Sequence, residues 1–307
     1  MRVDQIKRVL IVGAGTMGQQ IGLQCAMHGY DVTLYDLAPE MLGIAMTQIE
    51  AYAVQLVDEG RLTPSEVDDV QSRITTTSLP EEAAEQVDLM SESVPEDPKL
   101  KGKVFAQFNE LCPSHTIFTS NTSTLIPSMY AEATGRPSQF AALHFHMNVW
   151  ESNIVDIMPH PDTSEETIAL LHDFARRIGQ IPILLKKEKS GYIFNSIMSA
   201  INHEALSLVA NGVATVKDID RALMGVMKLS IGPFGVMDRV GLDTVWHITD
   251  YWAKKRFYIR QIRKNANFVK EYVDQGHLGI KSGQGFYTYP DPAFRRPGFI
   301  EGTEHEG

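Results

Sequence analysis

The stretch Arg8–Asp36, RVLIVGAGTMGQQIGLQCAMHGYDVTLYD, limits the fold more than any other part of this 307-residue chain. It opens with the apolar run Val9–Val12, too short for a helix and rich in β-branched residues, which predicts a buried parallel strand. Gly13, Gly15 and Gly18 follow in G-x-G-x-x-G spacing, and a helical pattern runs from Gln19 to Met27. Gly13 permits a tight turn, Gly15 lets a backbone approach a pyrophosphate, and Gly18 lets the helix pack against the strand. The helix N-terminus then offers amides to an anion, and Thr16, Met17 and Gly18 count with Gly13 and Gly15 among the cofactor-binding residues. A second strand, Val32–Tyr35, ends in Asp36, at about the 20-residue distance where an acid meets the adenosine ribose. A carboxylate there accepts the ribose hydroxyls and repels a 2′-phosphate, and Leu37-Ala38-Pro39 brings no cation to welcome one. The expectation is a dinucleotide site that takes NAD, not NADP. The competing reading is a glycine-rich turn of purely structural use.

A chain of this length implies about two domains. The formal net charge of −10 argues against a nucleic-acid or anionic-membrane surface. Two cysteines, Cys25 and Cys112, make no disulfide framework and suit a reducing compartment. The first apolar run belongs to the nucleotide motif, so it is not read as a cleavable signal, and no apolar stretch approaches the ~18 residues of a membrane span. A soluble, cytoplasmic protein with small-molecule partners is expected.

Helical stretches are predicted at about Pro39–Glu59 and from Thr63-Pro64-Ser65-Glu66, where Pro64 suits a first turn. Strand signals recur at Arg73–Thr76, Val87–Glu92, Ile117–Ser120, Phe140–Leu143, Ile154–Met158 and Ile181–Leu185. Helical patterns at Leu100–Leu111, Leu125–Thr134 and Ser164–Ile178 fill the gaps. Alternation of this kind predicts an α/β fold, a doubly wound sheet of about eight strands over residues 1–187. From Tyr192 to Ala210 the chain is apolar nearly all round, so that helix must be buried on most sides. A small helical domain, 188–290, cannot readily do this alone, and a homodimer interface is expected. Thr215-Val-Lys-Asp218 reads as a capping box, Gly232 and Gly241 as breaks, and Asp243–Asp274 as helical. The tail, 291–307, reads as an appendage that Phe294 and Phe299 pin to the body.

A nicotinamide enzyme acting on an alcohol needs a base, a group to orient it, and donors for the substrate oxygen. Two strand ends can supply these: Thr119-Ser-Asn121-Thr122-Ser123-Thr124, and Leu143-His144-Phe145-His146 with Asp156 beyond it. An acid inside the apolar run Ile154–Met158 requires a partner. Asp156 is either a core carboxylate satisfied by backbone donors or the orienter of His144. A metal site at His144, His146 and Asp156 is set aside, because no further ligand cluster accompanies it and hydride transfer needs no metal.

The chain resembles the 3-hydroxyacyl-CoA dehydrogenase family over about residues 5–290, through VGAGTMG, SESVPEDPKLK, TSNTSTL, the LHF of His144, GYIFN, the GPF and GLDT pair, and LGIKSGQGFYTY. The resemblance implies a Rossmann domain followed by a helical dimerisation domain, with the active site between them. It implies His144 as catalytic base, Asp156 as its orienting acid, Ser123 as a pocket serine and Asn195 as a substrate-facing amide. It further implies Glu96 and Lys101 beside the cofactor and Lys281 in contact with it.

Two departures bear on mechanism and substrate. The family's usual HFFNP with an orienting Glu is here HFHMN with Asp156, so the shorter arm requires a closer backbone; Asn148 also sits one position late. Lysines that meet coenzyme A phosphates in the family are missing: from Leu37 to Val70 there is one basic residue, Arg61, against Glu40, Glu50, Asp58, Glu59, Glu66, Asp68 and Asp69. The HFHMNVWESN pattern resembles a branch with diketoreductase-like enzymes, which reduce β-keto compounds without CoA; sugar-acid dehydrogenases are another non-CoA branch. The expected activity is NAD-dependent oxidation or reduction of a 3-hydroxyacyl compound, CoA-linked or free. A non-catalytic NAD-binding protein is the alternative from another class.

Overall fold

The computed structural model describes residues 1–256 and 259–303. The chain divides into two compact units, Met1–Ile193 and Phe194–Gly307.

The first unit is built on one eight-stranded sheet: β1 Arg8–Val12, β2 Asp31–Tyr35, β3 Ile74–Thr77, β4 Leu89–Glu92, β5 Ile117–Ser120, β6 Phe140–Phe145, β7 Ile154–Pro159 and β8 Ile181–Leu184. Their order is β3-β2-β1-β4-β5-β6-β7-β8. All neighbours run parallel except β6 and β7. The connection between those two contains no helix, and only a helix-length crossover could return the chain to a parallel start. Helices α1 Thr16–Met27, α2 Pro39–Asp58, α3 Pro64–Ser72, α4 Pro80–Ala83, α5 Pro98–Leu111 and α6 Glu165–Arg177 flank the sheet.

Strand β1 shows why the sheet is covered on both faces. Val9 and Ile11 join one core with Ile21, Leu42, Ile49 and Phe174, while Leu10 and Val12 join another with Phe105, Phe108 and Phe118. Alternate side chains point to opposite faces, so a run of apolar residues needs helices above and below it.

One expectation needs correction here. Leu125–Thr134 is not a helix but a pair of 3₁₀ turns, Pro127–Met129 and Glu132–Thr134. Tyr130 leaves helical geometry at φ −146° and ψ 8°, which ends the first turn, and Gly135 then ends the second in a left-handed conformation. The short helix α4 has no counterpart among the predicted elements.

The second unit contains α7 Phe194–Ala210, α8 Val216–Met227, α9 Pro233–Val240, α10 Leu242–Lys255 and α11 Arg260–Asp274. The stretch Asp243–Asp274, expected to be helical, holds most of α10 and α11, and the chain leaves helical geometry at Arg256; the join at Phe257 and Tyr258 lies outside the described residues. Thr215 caps α8 as expected, its hydroxyl accepting from the Asp218 amide. The core gathers Leu206, Met224, Phe234, Met237, Val269 and Tyr287, and Phe294 and Phe299 of the tail are buried in it. Two buried acids pin its loops. Asp220 accepts from the Phe234 and Gly235 amides at the start of α9 and from the Tyr287 hydroxyl, at 2.9 to 3.1 Å. Asp238 accepts from the Phe286 and Tyr287 amides and the Tyr289 hydroxyl. The glycines of LGIKSGQGF make this possible, because a Cβ on Gly285 would stand 2.1 Å from Asp238 Oδ1.

Candidate active site

The carboxyl ends of β1, β2, β4, β5 and β6 share one edge of the first unit, and the sequence places its candidate residues there. After β1 the chain turns at Gly13, with φ +108°, where a Cβ would press on the Ser93 carbonyl at 2.8 Å. A Cβ on Gly18 would stand 1.9 Å from the Gly13 carbonyl oxygen, which accounts for the close approach of α1 to β1. Gly15 has nothing within 4 Å of a hypothetical Cβ, so the loop is open on that flank. The first intrahelical bond is Gln19 N to Gly15 O, leaving the Thr16, Met17 and Gly18 amides ahead of it at the positive end of α1. Asp36 is half-buried; its Oδ2 accepts from Ala14 N at 2.9 Å and its Oδ1 from Ala38 N at 3.0 Å. A carboxylate so anchored keeps lone pairs for ribose hydroxyls. Open flank, helix amides and fixed carboxylate suit the pyrophosphate and ribose of a dinucleotide.

Beneath the next loop lies a buried ionic cluster that sequence reasoning misses in part, since it singles out Lys101 and Glu96 but not Glu92. Glu92, the last residue of β4, is 0% exposed, and burial pushes its carboxyl upward against the pull of Lys101, 2.7 Å away, and of Ser120. Lys101 is 1% exposed, and its Nζ also meets the Val94 carbonyl at 3.1 Å and Glu96 at 3.3 Å. Glu96 gathers the loop after β5: its Oε1 accepts from the Ser123 and Thr124 amides at 3.1 and 3.0 Å and from the Thr122 and Thr124 hydroxyls. Burial raises the Glu96 carboxyl, but these donors and Lys101 outweigh it and hold it below the ordinary range. Lys101 therefore reaches the loop of Ser123 through Glu96. A signal for Glu92 exists in the sequence: a charge ending an apolar strand demands a partner.

On β6 and β7, His144 and Asp156 are direct cross-strand partners. His144 Nδ1 lies 3.1 Å from Asp156 Oδ2, and His146 Nε2 lies 3.4 Å from the same oxygen. The His144 and His146 ring centroids are 4.6 Å apart, and the buried Tyr192 ring stands 4.8 Å from that of His144. Burial raises the Asp156 carboxyl, yet hydrogen bonds from His144 and then His146 prevail and hold it at about 2. Asp156 is thus ionised at neutral pH and acts only as an acceptor, so the His144 proton belongs on Nδ1, leaving the Nε2 lone pair. Asn121 fixes the strand end, its Oδ1 accepting from Phe145 N at 2.8 Å. Asn148, with φ +60°, donates its backbone amide to Gln20 Oε1 at 2.8 Å. Tyr192 and Asn121 lie within recognisable motifs, but nothing in the local sequence marks either for its place here.

Asn195 and Lys281 belong to the second unit. Asn195 lies in the first turn of α7, partly exposed. Lys281 pairs with Asp243 at 2.6 Å beside Gly241.

A glycine loop with an acid after the second strand, on the same sheet as an imidazole–carboxylate pair, defines the class of NAD-dependent dehydrogenases. Family comparison narrows this. Residues 8–189 match the NAD binding domain of 3-hydroxyacyl-CoA dehydrogenase, and residues 191–289 match its C-terminal domain. A probable 3-hydroxyacyl-CoA dehydrogenase of Caenorhabditis elegans is 32% identical over 94% of this chain and 97% of its own. A diketoreductase structure, described for dual catalysis of dicarbonyl compounds, aligns with TM-score 0.84 and 35% identity over 92% of this chain and 99% of that one. The (S)-3-hydroxybutyryl-CoA dehydrogenase of Ralstonia eutropha aligns with TM-score 0.83 and 28% identity over 94% and 100%. The chain belongs to the 3-hydroxyacyl-CoA dehydrogenase family, as an oxidoreductase with an NAD-binding Rossmann domain and a helical C-terminal domain. Among the described residues no helix is long and apolar enough to cross a membrane.

Proposed function

We propose that the protein interconverts a 3-hydroxyacyl compound of the 3-hydroxybutyryl-CoA type and its 3-keto form. The observation that carries this reading is the buried His144–Asp156 pair, 3.1 Å apart, on the sheet that bears the nucleotide loop. NAD, when bound, supplies the hydride acceptor, and Gly13, Gly15, Thr16, Met17, Gly18 and Asp36 would hold it. His144 Nε2 takes the proton of the substrate hydroxyl in oxidation and returns it in reduction. Asp156 keeps Nδ1 protonated and faces the imidazolium with a full negative charge. Ser123 and Asn195 donate to the substrate oxygens, Glu96 and Lys101 hold the Ser123 loop beside the cofactor, and Lys281 would contact the cofactor.

One observation favours a second reading of the acyl carrier. Arg61, the lone cation between Leu37 and Val70, is already engaged by Glu59 at 3.2 Å and by the Trp150 carbonyl at 3.0 Å. The α2–α3 surface thus offers no spare cation to the phosphates of coenzyme A, which suits a free β-keto or diketo ester. NADH oxidation with acetoacetyl-CoA, an acetoacetate ester and a 3,5-diketo ester decides between the carriers. Turnover of none of the three would sink the proposal.

A further inference from the structure

His146 gives the pair a third member that proton transfer does not use. Ligand atoms of His144, His146 and Asp156, one from each, lie within 4.8 Å of one another. The edges from Asp156 Oδ2, 3.1 Å to His144 Nδ1 and 3.4 Å to His146 Nε2, sit close to the roughly 3.3 Å edge of a tetrahedron with 2.0–2.1 Å metal–ligand bonds. The cluster is roofed unevenly: side-chain exposure is 2% for Asp156, 6% for His144 and 17% for His146, so an ion would arrive past His146.

We propose that His144, His146 and Asp156 form a binding site for a borderline divalent ion of the zinc or cobalt kind, a competitor of the reaction and not its cofactor. Two imidazoles and one carboxylate with a water in the fourth position are a familiar donor set for such ions. Binding needs a lone pair at each nitrogen that now donates to Asp156. The proton of neutral His144 therefore moves from Nδ1 to Nε2, and that of neutral His146 from Nε2 to Nδ1. No proton is lost overall, and the ion takes the place of both N–H···O contacts. The consequence, which rests on the proposed dehydrogenase chemistry, is that His144 Nε2 then carries a hydrogen and cannot accept another. The ion switches the base off by reversing its tautomer, and a chelator restores it.

The test uses tag-free full-length protein titrated with Co²⁺ and followed by its visible ligand-field bands, then displaced with Zn²⁺. One equivalent should bind tightly in the wild type. His146→Phe and Asp156→Asn should each weaken binding by roughly 100-fold or more, beyond the cost of losing a merely supporting partner. His172→Ala, which removes an exposed imidazole beside Asp173, should change nothing. Zn²⁺ should inhibit NAD reduction by the 3-hydroxy substrate reversibly at the concentration that displaces Co²⁺, and His146→Phe should resist it when measured against its own uninhibited rate. No tight cobalt in the wild type, or equal binding by His146→Phe, would overturn the site. Cobalt bands in a protein inactive on every substrate would support the site and count against the dehydrogenase reading instead.

Discussion

His144 and Asp156 meet because β6 and β7 run antiparallel with these two residues in register. Directly opposed side chains start with Cβ atoms only about 5 Å apart, so a short acid spans the gap. Asp156→Glu should therefore crowd the imidazole and slow turnover. Asp156→Asn should leave NADH binding nearly intact and lower turnover by about 10³–10⁴-fold, since an amide neither fixes the tautomer nor balances the imidazolium. His144→Gln should be as damaging, and the double variant little worse than either, because the pair acts as one unit. Full activity in Asp156→Asn, by stopped flow, would return the residue to a core carboxylate. Asp36 carries a different prediction. Asp36→Ala should narrow the NAD preference over NADP by about 1–2 kcal/mol through loss of a charge-assisted hydrogen-bond pair. It should also weaken both cofactors, because the carboxylate anchors the Ala14 amide of the loop. Titration calorimetry separates the two effects; unchanged preference would mean the ribose is read elsewhere. The glycine spacing and Asp36 were legible in the sequence because each carries a local backbone requirement. The reach of Asp156 was not, since register is a long-range fact.

Helices and strands declared themselves where a single local signal decided them. Pro64 opens α3 and Ser164 caps α6, its hydroxyl accepting from Thr167 N. The strands read plainly because apolar runs between turns have few other uses. The segment after β5 misled, since Leu125, Ile126, Met129 and Tyr130 space like a helix while its backbone is committed elsewhere. Leu125 N bonds to the Thr122 hydroxyl, and Ser128 N to Glu188. The cluster at the ends of β4 and α5 was hidden for a related reason: Glu92 and Lys101 look like ordinary charges until the fold buries both. Its energetics can be checked by a double-mutant cycle. Glu92→Gln or Lys101→Met alone should cost about 3–5 kcal/mol in urea unfolding, as expected when one partner of a buried pair is left alone. The double variant should cost less than the sum. Additive losses would mean the two groups are stabilised independently.

At the scale of the molecule, each unit keeps a core of its own, and the second leaves much apolar surface uncovered. Phe194 and Ile197 of α7 are 53% and 56% exposed, and Val226 of α8 is 80% exposed. A second copy covering α7 would meet the sequence expectation of a dimer. Sedimentation should then give about twice the 34.3 kDa chain mass, and Ile197→Asp should give monomer or insoluble protein. A wild-type monomer at micromolar concentration would refute this. The second unit also sets a pH response. Burial, and then repulsion from Asp238, raises Asp220 to about 6, although its three donors pull the other way. A carboxyl whose folded pKa is raised stabilises the fold most below its unfolded value. Stability should therefore fall by ~3 kcal/mol as pH rises from about 4 to about 7, because each tenfold gain in proton affinity on folding is worth about 1.4 kcal/mol. Asp156 responds in the opposite sense, its contribution whole above pH 4 and lost as pH falls through about 2. Denaturant midpoints across pH 4–7 test the first claim, and a flat profile would reject it. The two cysteines have a practical corollary. Both are buried, and burial pushes each thiol to about 12, so neither offers a thiolate to a maleimide near neutrality. Ser114, exposed in the loop that leads into β5, lies at the amino end of the strands, away from the nucleotide loop. A cysteine placed there would be the one reactive thiol among three, so a fluorophore could be attached at a single position without first removing Cys25 or Cys112.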